Sequence, residues 1–143
     1  KGLQMKPISE KELAHFKNFN KLAVKFLKTK GITVEFEHFR CLKRYDNFHV
    51  CKTKTSYYKL FKQNNFGDVV SPTGGFTWAK FSSNGIETMV KYNHPKDKAF
   101  CKLKANFVCI NKYLNNNVEF ERWVENESKR KNRAEESNRT SSF

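Results

Sequence analysis

The hydrophobic positions of this chain change period after residue 31. Before that point, Leu13, Phe16, Phe19, Leu22, Ala23, Val24, Phe26 and Leu27 fall on one broad face at 100° per residue. Lys17, Lys21, Lys25 and Lys28 form a stripe opposite them. Ser9 stands where an N-cap belongs, with Glu12 three residues on to complete a capping box, and Gly31 is placed to stop the helix. A helix over 9–30 is therefore predicted. From there the period is two, with Ile32, Val34 and Phe36 alternating with Thr33, Glu35 and Glu37. A second strand, rich in Thr, Tyr and Val, is predicted over about 48–61.

Residues 64–75 carry the longest loop signal, with Gly67, Pro72, Gly74 and Gly75. Segments 76–81 and 86–92 read as strands around Ser83-Asn84-Gly85, and Asn-Gly is the strongest hairpin cue in the chain. A last hairpin is expected over 99–109. After Asn115-Asn116-Asn117, Phe120, Trp123 and Val124 are spaced like the buried face of a short helix. From residue 128 the chain reads as frayed helix or disordered tail. The expected fold class is α+β: a long N-terminal helix packed on a curved antiparallel sheet of five or six strands, then a short C-terminal helix. Residues 1–127 form the single domain and 128–143 the polar tail.

Four cysteines sharpen this picture. Cys41 and Cys51 bracket one turn-like segment, and Cys101 and Cys109 bracket another. Of the three possible connectivities, Cys41–Cys51 and Cys101–Cys109 close hairpin-sized loops and are the expected disulfides. No pair has the close spacing of a structural zinc site. Disulfides imply an oxidising compartment. The sequons at Asn126 (Asn-Glu-Ser) and Asn138 (Asn-Arg-Thr) agree with a secreted glycoprotein. Lys1 is then read as the start of a mature chain after removal of a signal peptide.

Charge comes next. The net charge is +14, and the segment from Glu125 onward contributes only +1 of it. A surplus of this size is usually matched to a partner of opposite sign. Lysine outnumbers arginine 22 to 6, which disfavours base-specific reading of DNA, where arginine forks dominate. Pairing Cys41 with Cys51 sets Arg40 opposite Lys52 and His38 opposite Lys54. Lys98, Lys102 and Lys112 are expected on one side of the last hairpin. With Lys43, Arg44, Lys59 and Lys62, and with Lys17, Lys21, Lys25 and Lys28 on the helix, these give a candidate polyanion-binding surface. Tyr45, Phe48, Tyr57, Tyr58, Phe76 and Trp78 lie among the cations; the alternation of Phe and Trp reads as core packing more than as a stacking platform.

Catalytic signatures are absent: there is no Gly-x-Ser-x-Gly, His-Glu-x-x-His, Walker loop or EF-hand loop. No catalytic residue, cofactor or metal is expected. His15, His38, His49 and His94 could supply the acid and base of a ribonuclease. His15 reads as a core or boundary residue, and His38 and His49 fall on opposite faces of neighbouring strands. The similarity to pancreatic-type ribonucleases stops at composition, since their Lys-Thr-Asn-Thr-Phe-type segment and larger cysteine set are missing.

A helix followed by an antiparallel meander with two disulfides resembles the cystatin layout. Asp68-Val69-Val70-Ser71-Pro72-Thr73-Gly74-Gly75 looks like the cystatin Gln-Val-Val-Ala-Gly wedge, Cys41-x9-Cys51 matches a cystatin-like spacing, and Lys98-Ala99-Phe100-Cys101 resembles a stretch near the later cystatin cysteines. About fifty residues separate the cysteine pairs, however, the last pair is too close, and no Pro-Trp loop follows. No inhibitory residue carries over. The function expected is a secreted, non-enzymatic binding or effector protein docking on an acidic extracellular partner, either a glycosaminoglycan or an acidic protein surface. Nucleic acid is possible without base specificity. A cystatin-like inhibitor and a secreted basic ribonuclease are the alternatives. The 64–75 loop is a second candidate contact.

Overall fold

The structure is a computed structural model that describes residues 8–61, 75–95 and 100–141, with side chains as far as residue 134. Helix α1 (Glu10–Thr29) starts at Ser9, whose hydroxyl oxygen accepts from the Glu12 amide at 3.2 Å. It ends with the Ile32 amide donating to the Leu27 carbonyl and the Gly31 amide to that of Lys28, with Gly31 at φ 73°. This Schellman closure needs a residue that tolerates positive φ. The chain turns into β1 (Thr33–Arg44), β2 (Phe48–Lys52) and β3 (Tyr57–Phe61), then β4 (Gly75–Ser83) and β5 (Ile86–Asn93). The β4–β5 turn carries Asn84 and Gly85 at φ 51° and 80°, as an Asn-Gly hairpin turn requires.

The five strands make one antiparallel sheet in the order β3-β2-β1-β4-β5. The α+β class is as expected, with the long helix on one side of the sheet. Two expectations fail. The segment read as one strand over 48–61 is two strands, because Thr53 and Ser56 close a tight turn, the Thr53 amide donating to the Ser56 carbonyl at 2.9 Å. Pairing of β1 with β2 therefore ends at Arg40 and Lys52, and His38 does not face Lys54.

The expected last hairpin is instead helix α2 (Lys102–Tyr113). Leu103, Ala105 and Phe107 alternate with Lys102, Lys104 and Asn106, which invites a strand reading. The buried set is Ala105, Cys109, Ile110 and Leu114, and that is a helical period. Cys101 is the α2 N-cap and Cys109 lies eight residues along, about 12 Å on the helix axis. That separation is beyond a disulfide's reach, so the expected Cys101–Cys109 bond has no place in this fold. After Asn116, at φ 55°, the Asn117 side chain caps α3 (Val118–Ser141), which continues through the polar segment.

The helices pack over β1, β4 and β5. Between them lies the main core, built from Ala23, Phe26, Leu27, Ala79, Phe81, Cys109, Ile110, Leu114 and Phe120. Phe81 stacks on Tyr113 with centroids 3.8 Å apart. The opposite face of the sheet buries a second cluster: Phe39, Cys41, Cys51, Leu60 and Phe76, with Trp78 packed against it.

Candidate polyanion face and a bridged histidine pair

Strand register decides which cations share a face. Across β1, β2 and β3 the rows are Arg40–Lys52–Tyr57 and, after a bulge between Cys41 and Lys43, Lys43–Val50–Lys59, then Phe48–Phe61. These side chains point to the helix side of the sheet, but among the described residues no helix covers this three-stranded wing. The alternate residues Cys41, Cys51, His49, Tyr58 and Leu60 point the other way, and Tyr58 packs on Phe39 at 5.5 Å. Residues 40–61 hold six cations and one carboxylate, Asp46. None of the ion pairs among the described residues uses a wing cation.

The cations lie on aromatic faces instead. Lys59 Nζ is 4.2 Å from the Phe48 ring and 5.6 Å from Phe61, Lys43 Nζ is 5.0 Å from Tyr45, and Lys52 Nζ is 5.3 Å from Tyr57. Tyr45 stacks on Phe48 at 4.7 Å, and Tyr57 is 68% exposed. The aromatics thus split. Phe76 and Trp78 belong to the buried cluster, as the sequence implied, while Tyr45, Tyr57 and Phe61 are exposed among lysines.

The other candidate cations are scattered. Arg44 pairs with His49 on the far face, and Lys54 sits in the β2–β3 turn. Lys17, Lys21, Lys25 and Lys28 are exposed on α1, a layer away from the sheet, and Lys25 pairs with Glu127 at 3.0 Å. Lys112 donates to the Lys91 carbonyl at 3.2 Å and lies over Tyr92. Lys102 is on the first turn of α2. Lys62, Lys98 and the 62–74 part of the candidate loop lie outside the described residues. Asn126 is exposed on α3, and the side chain of Asn138 is outside the described set.

Cys41 and Cys51 are register partners, as the sequence predicted, but the expected disulfide is not formed: both are free thiols with their sulfurs 3.6 Å apart. His49 Nδ1 is 3.9 Å from Cys41 Sγ. Burial, then a hydrogen bond in which the Cys51 thiol donates to Cys41, pushes the Cys51 thiol up to about 12. Among the described residues, no three His, Cys, Asp or Glu side chains gather as a metal site.

A second constellation joins residues that lie far apart in sequence. His38 Nδ1 is 2.7 Å from Thr77 Oγ1, which is 2.9 Å from His94 Nε2. Thr77 faces His38 across the β1–β4 ladder, and His94 follows β5. Gly75 allows this end of the sheet to close: a Cβ there would lie 2.4 Å from the Phe39 carbonyl oxygen, and its own carbonyl accepts from the His94 amide. Phe100 lies against both rings, 5.4 Å from His38 and 4.3 Å from His94.

Proton accounting limits what the bridge can do. A hydrogen bond to the Phe76 backbone favours protonated His94, against the effect of burial. The Thr77 hydroxyl has one proton, so it donates to one of the two rings and accepts from the other. Burial, then the His38 charge, brings His94 down to about 4; burial, then Lys102, lowers His38. The sequence offers His94 as one of four candidate histidines but not its pairing with His38, because only the β1–β4 and β4–β5 pairings bring the two together. His15 is exposed at the margin of α1, touching the Phe16 and Phe107 rings, and not in the core.

Comparison with known proteins finds no matching family model, curated protein or solved structure. Among the described residues, no helix is long and apolar enough to cross a membrane.

Proposed function

We propose that this is a secreted binding protein, without catalytic activity, that docks a chain-like polyanion across the β1–β2–β3 wing. One observation carries the reading. Six cations against one carboxylate lie on residues 40–61, none of those cations is consumed by an ion pair among the described residues, and the face bearing Arg40, Lys43, Lys52 and Lys59 is left uncovered by the helices. Like charges in register, as at Arg40 and Lys52, cost stability in a bare sheet, and a bound anion removes that cost. Rows of cations separated by exposed rings suit a polymer laid along the sheet, such as an acidic polysaccharide, better than a flat acidic protein face.

Secretion belongs to the same proposal. Cys41 and Cys51 are placed to close as one disulfide in an oxidising compartment, and Asn126 presents its sequon on an exposed helix face. The nuclease alternative draws on the His38–Thr77–His94 chain. Both imidazoles are held toward the neutral form, which suits a base and leaves neither ring of this pair as the acid.

Heparin chromatography tests the docking. The wild-type protein is expected to stay bound at roughly physiological salt, about 0.15 M. Arg40→Gln with Lys52→Gln should lower the slope of log affinity against log salt by about 2, one for each cation removed from the polyanion. Elution of the wild-type protein below physiological salt would end this reading.

A further inference from the structure

We infer that the wing's polymer is single-stranded nucleic acid, an inference that rests on the docking reading. Phosphates would be held by Arg40, Lys43, Lys52 and Lys59, with bases stacked on Tyr57 and on the Phe48–Phe61 pair. Charge alone does not choose between a sulfated polysaccharide and a nucleic acid, but the rings do. An aromatic face carries partial negative charge, so it disfavours an adjoining sulfate and accepts a flat, neutral base. A site for sulfate alone would leave Tyr57 without a role, yet this is among the most exposed large side chains of the fold, at 68%.

Spacing supports two stacking stations. Tyr57 and Phe61 are four residues apart on β3, about 13 Å along the strand, with Lys59 between them on the same face and Lys43 in the same row. The rings are at present covered by ammonium groups at 4.2 to 5.3 Å. When a phosphate draws a lysine aside, the ring face is freed for a base. An exposed cation–π contact is worth about 2- to 5-fold in affinity. A stacked base is worth about 5- to 150-fold, so the exchange favours the ligand. Among the described residues Arg40 is the only arginine on this face, which leaves little for reading base edges, so binding is expected to be indifferent to sequence.

The experiment compares three probes by fluorescence anisotropy: oligothymidylate, an abasic oligomer of the same length, and heparin. The expected result is that oligothymidylate binds at least 10-fold tighter than the abasic chain. Tyr57→Ala should weaken oligothymidylate about 10-fold and leave heparin unchanged, and Tyr57→Phe should restore it. Lys52→Gln should weaken all three. Equal binding of the abasic and normal oligomers, or insensitivity to Tyr57→Ala, overturns the inference while heparin binding keeps the docking reading alive. Failure of every probe to bind overturns both.

Discussion

The sheet has one helix-facing side and treats its two halves differently. Over β4, β5 and the first half of β1 that side is roofed by α1 and α2 and filled with Phe81, Ala79, Val34 and Phe36. Over β2, β3 and the end of β1 no helix among the described residues covers the same side, which carries lysine, arginine and tyrosine. On the function proposed above, stability belongs to the roofed half and recognition to the open one. Phe81→Ala is the largest test of that division. It removes a ring stacked on Tyr113 at the centre of the core and should cost about 3–5 kcal/mol, read from the urea midpoint. Tyr57→Ala, an edge-strand change at an exposed site, should cost no more than about 0.5 kcal/mol. Similar losses from the two would erase the distinction.

The two halves were also unequally legible. In the wing, the facing cysteines fixed a register that the structure reproduces, Cys41 with Cys51 and Arg40 with Lys52. On the roofed side the cysteine pattern misled. Treating Cys101 and Cys109 as a second hairpin turned α2 into strands, because positions 103, 105 and 107 follow a strand's period while 105, 109 and 110 follow a helix's, so the short segment fits both. The core contact that settles it, Cys109 against the carbonyls of Thr77 and Val90, is tertiary and left no local trace. The His38–Thr77–His94 chain was hidden for the same reason. The exposed rings were misjudged because Phe and Trp alternation reads alike for a covered and an uncovered face.

Oxidation offers the next largest effect, and it acts on the wing alone. Closing Cys41 to Cys51 links a loop of about ten residues and should add about 2–3 kcal/mol. Air-handled protein, unfolded and titrated for thiols, should then show two reactive groups, Cys101 and Cys109. Four reactive thiols would remove the staple from the wing and with it the main support for an oxidising compartment.

The histidine pair sits where the halves meet, since His38 is two residues before Arg40 on the same side of β1. Its effect is on stability and should appear in acid. His94 falls from 6.5 to about 4 on folding because burial and the neighbouring His38 charge oppose its protonation, with Lys102 adding to the same field at His38. Between those values the unfolded chain binds the extra proton and the native chain does not. Stability from this group is therefore complete above about pH 6.5 and is lost as pH falls toward 4. Because the ring is partly solvated, the loss is set at about 1–2 kcal/mol. Urea titrations at pH 7 and pH 4.5 should show it, and His94→Gln should flatten the difference relative to wild type. An unchanged slope in the variant would place the acid sensitivity elsewhere.

The smallest effect is the one expected from α1. Its lysines gave the clearest stripe in the sequence, but they project from the roof, away from the sheet, and Lys25 is already matched by Glu127. Lys17→Gln with Lys21→Gln removes the same charge as the wing double variant while touching no residue of the wing. Through the long-range field alone it should slow association at low salt and change the affinity at 0.15 M less than 2-fold, because a Debye length there is about 8 Å. Stability should move by less than about 0.5 kcal/mol. If the helix pair weakened polyanion binding as much as Arg40→Gln with Lys52→Gln, net charge and not the arrangement of cations and rings on the open half would govern recognition.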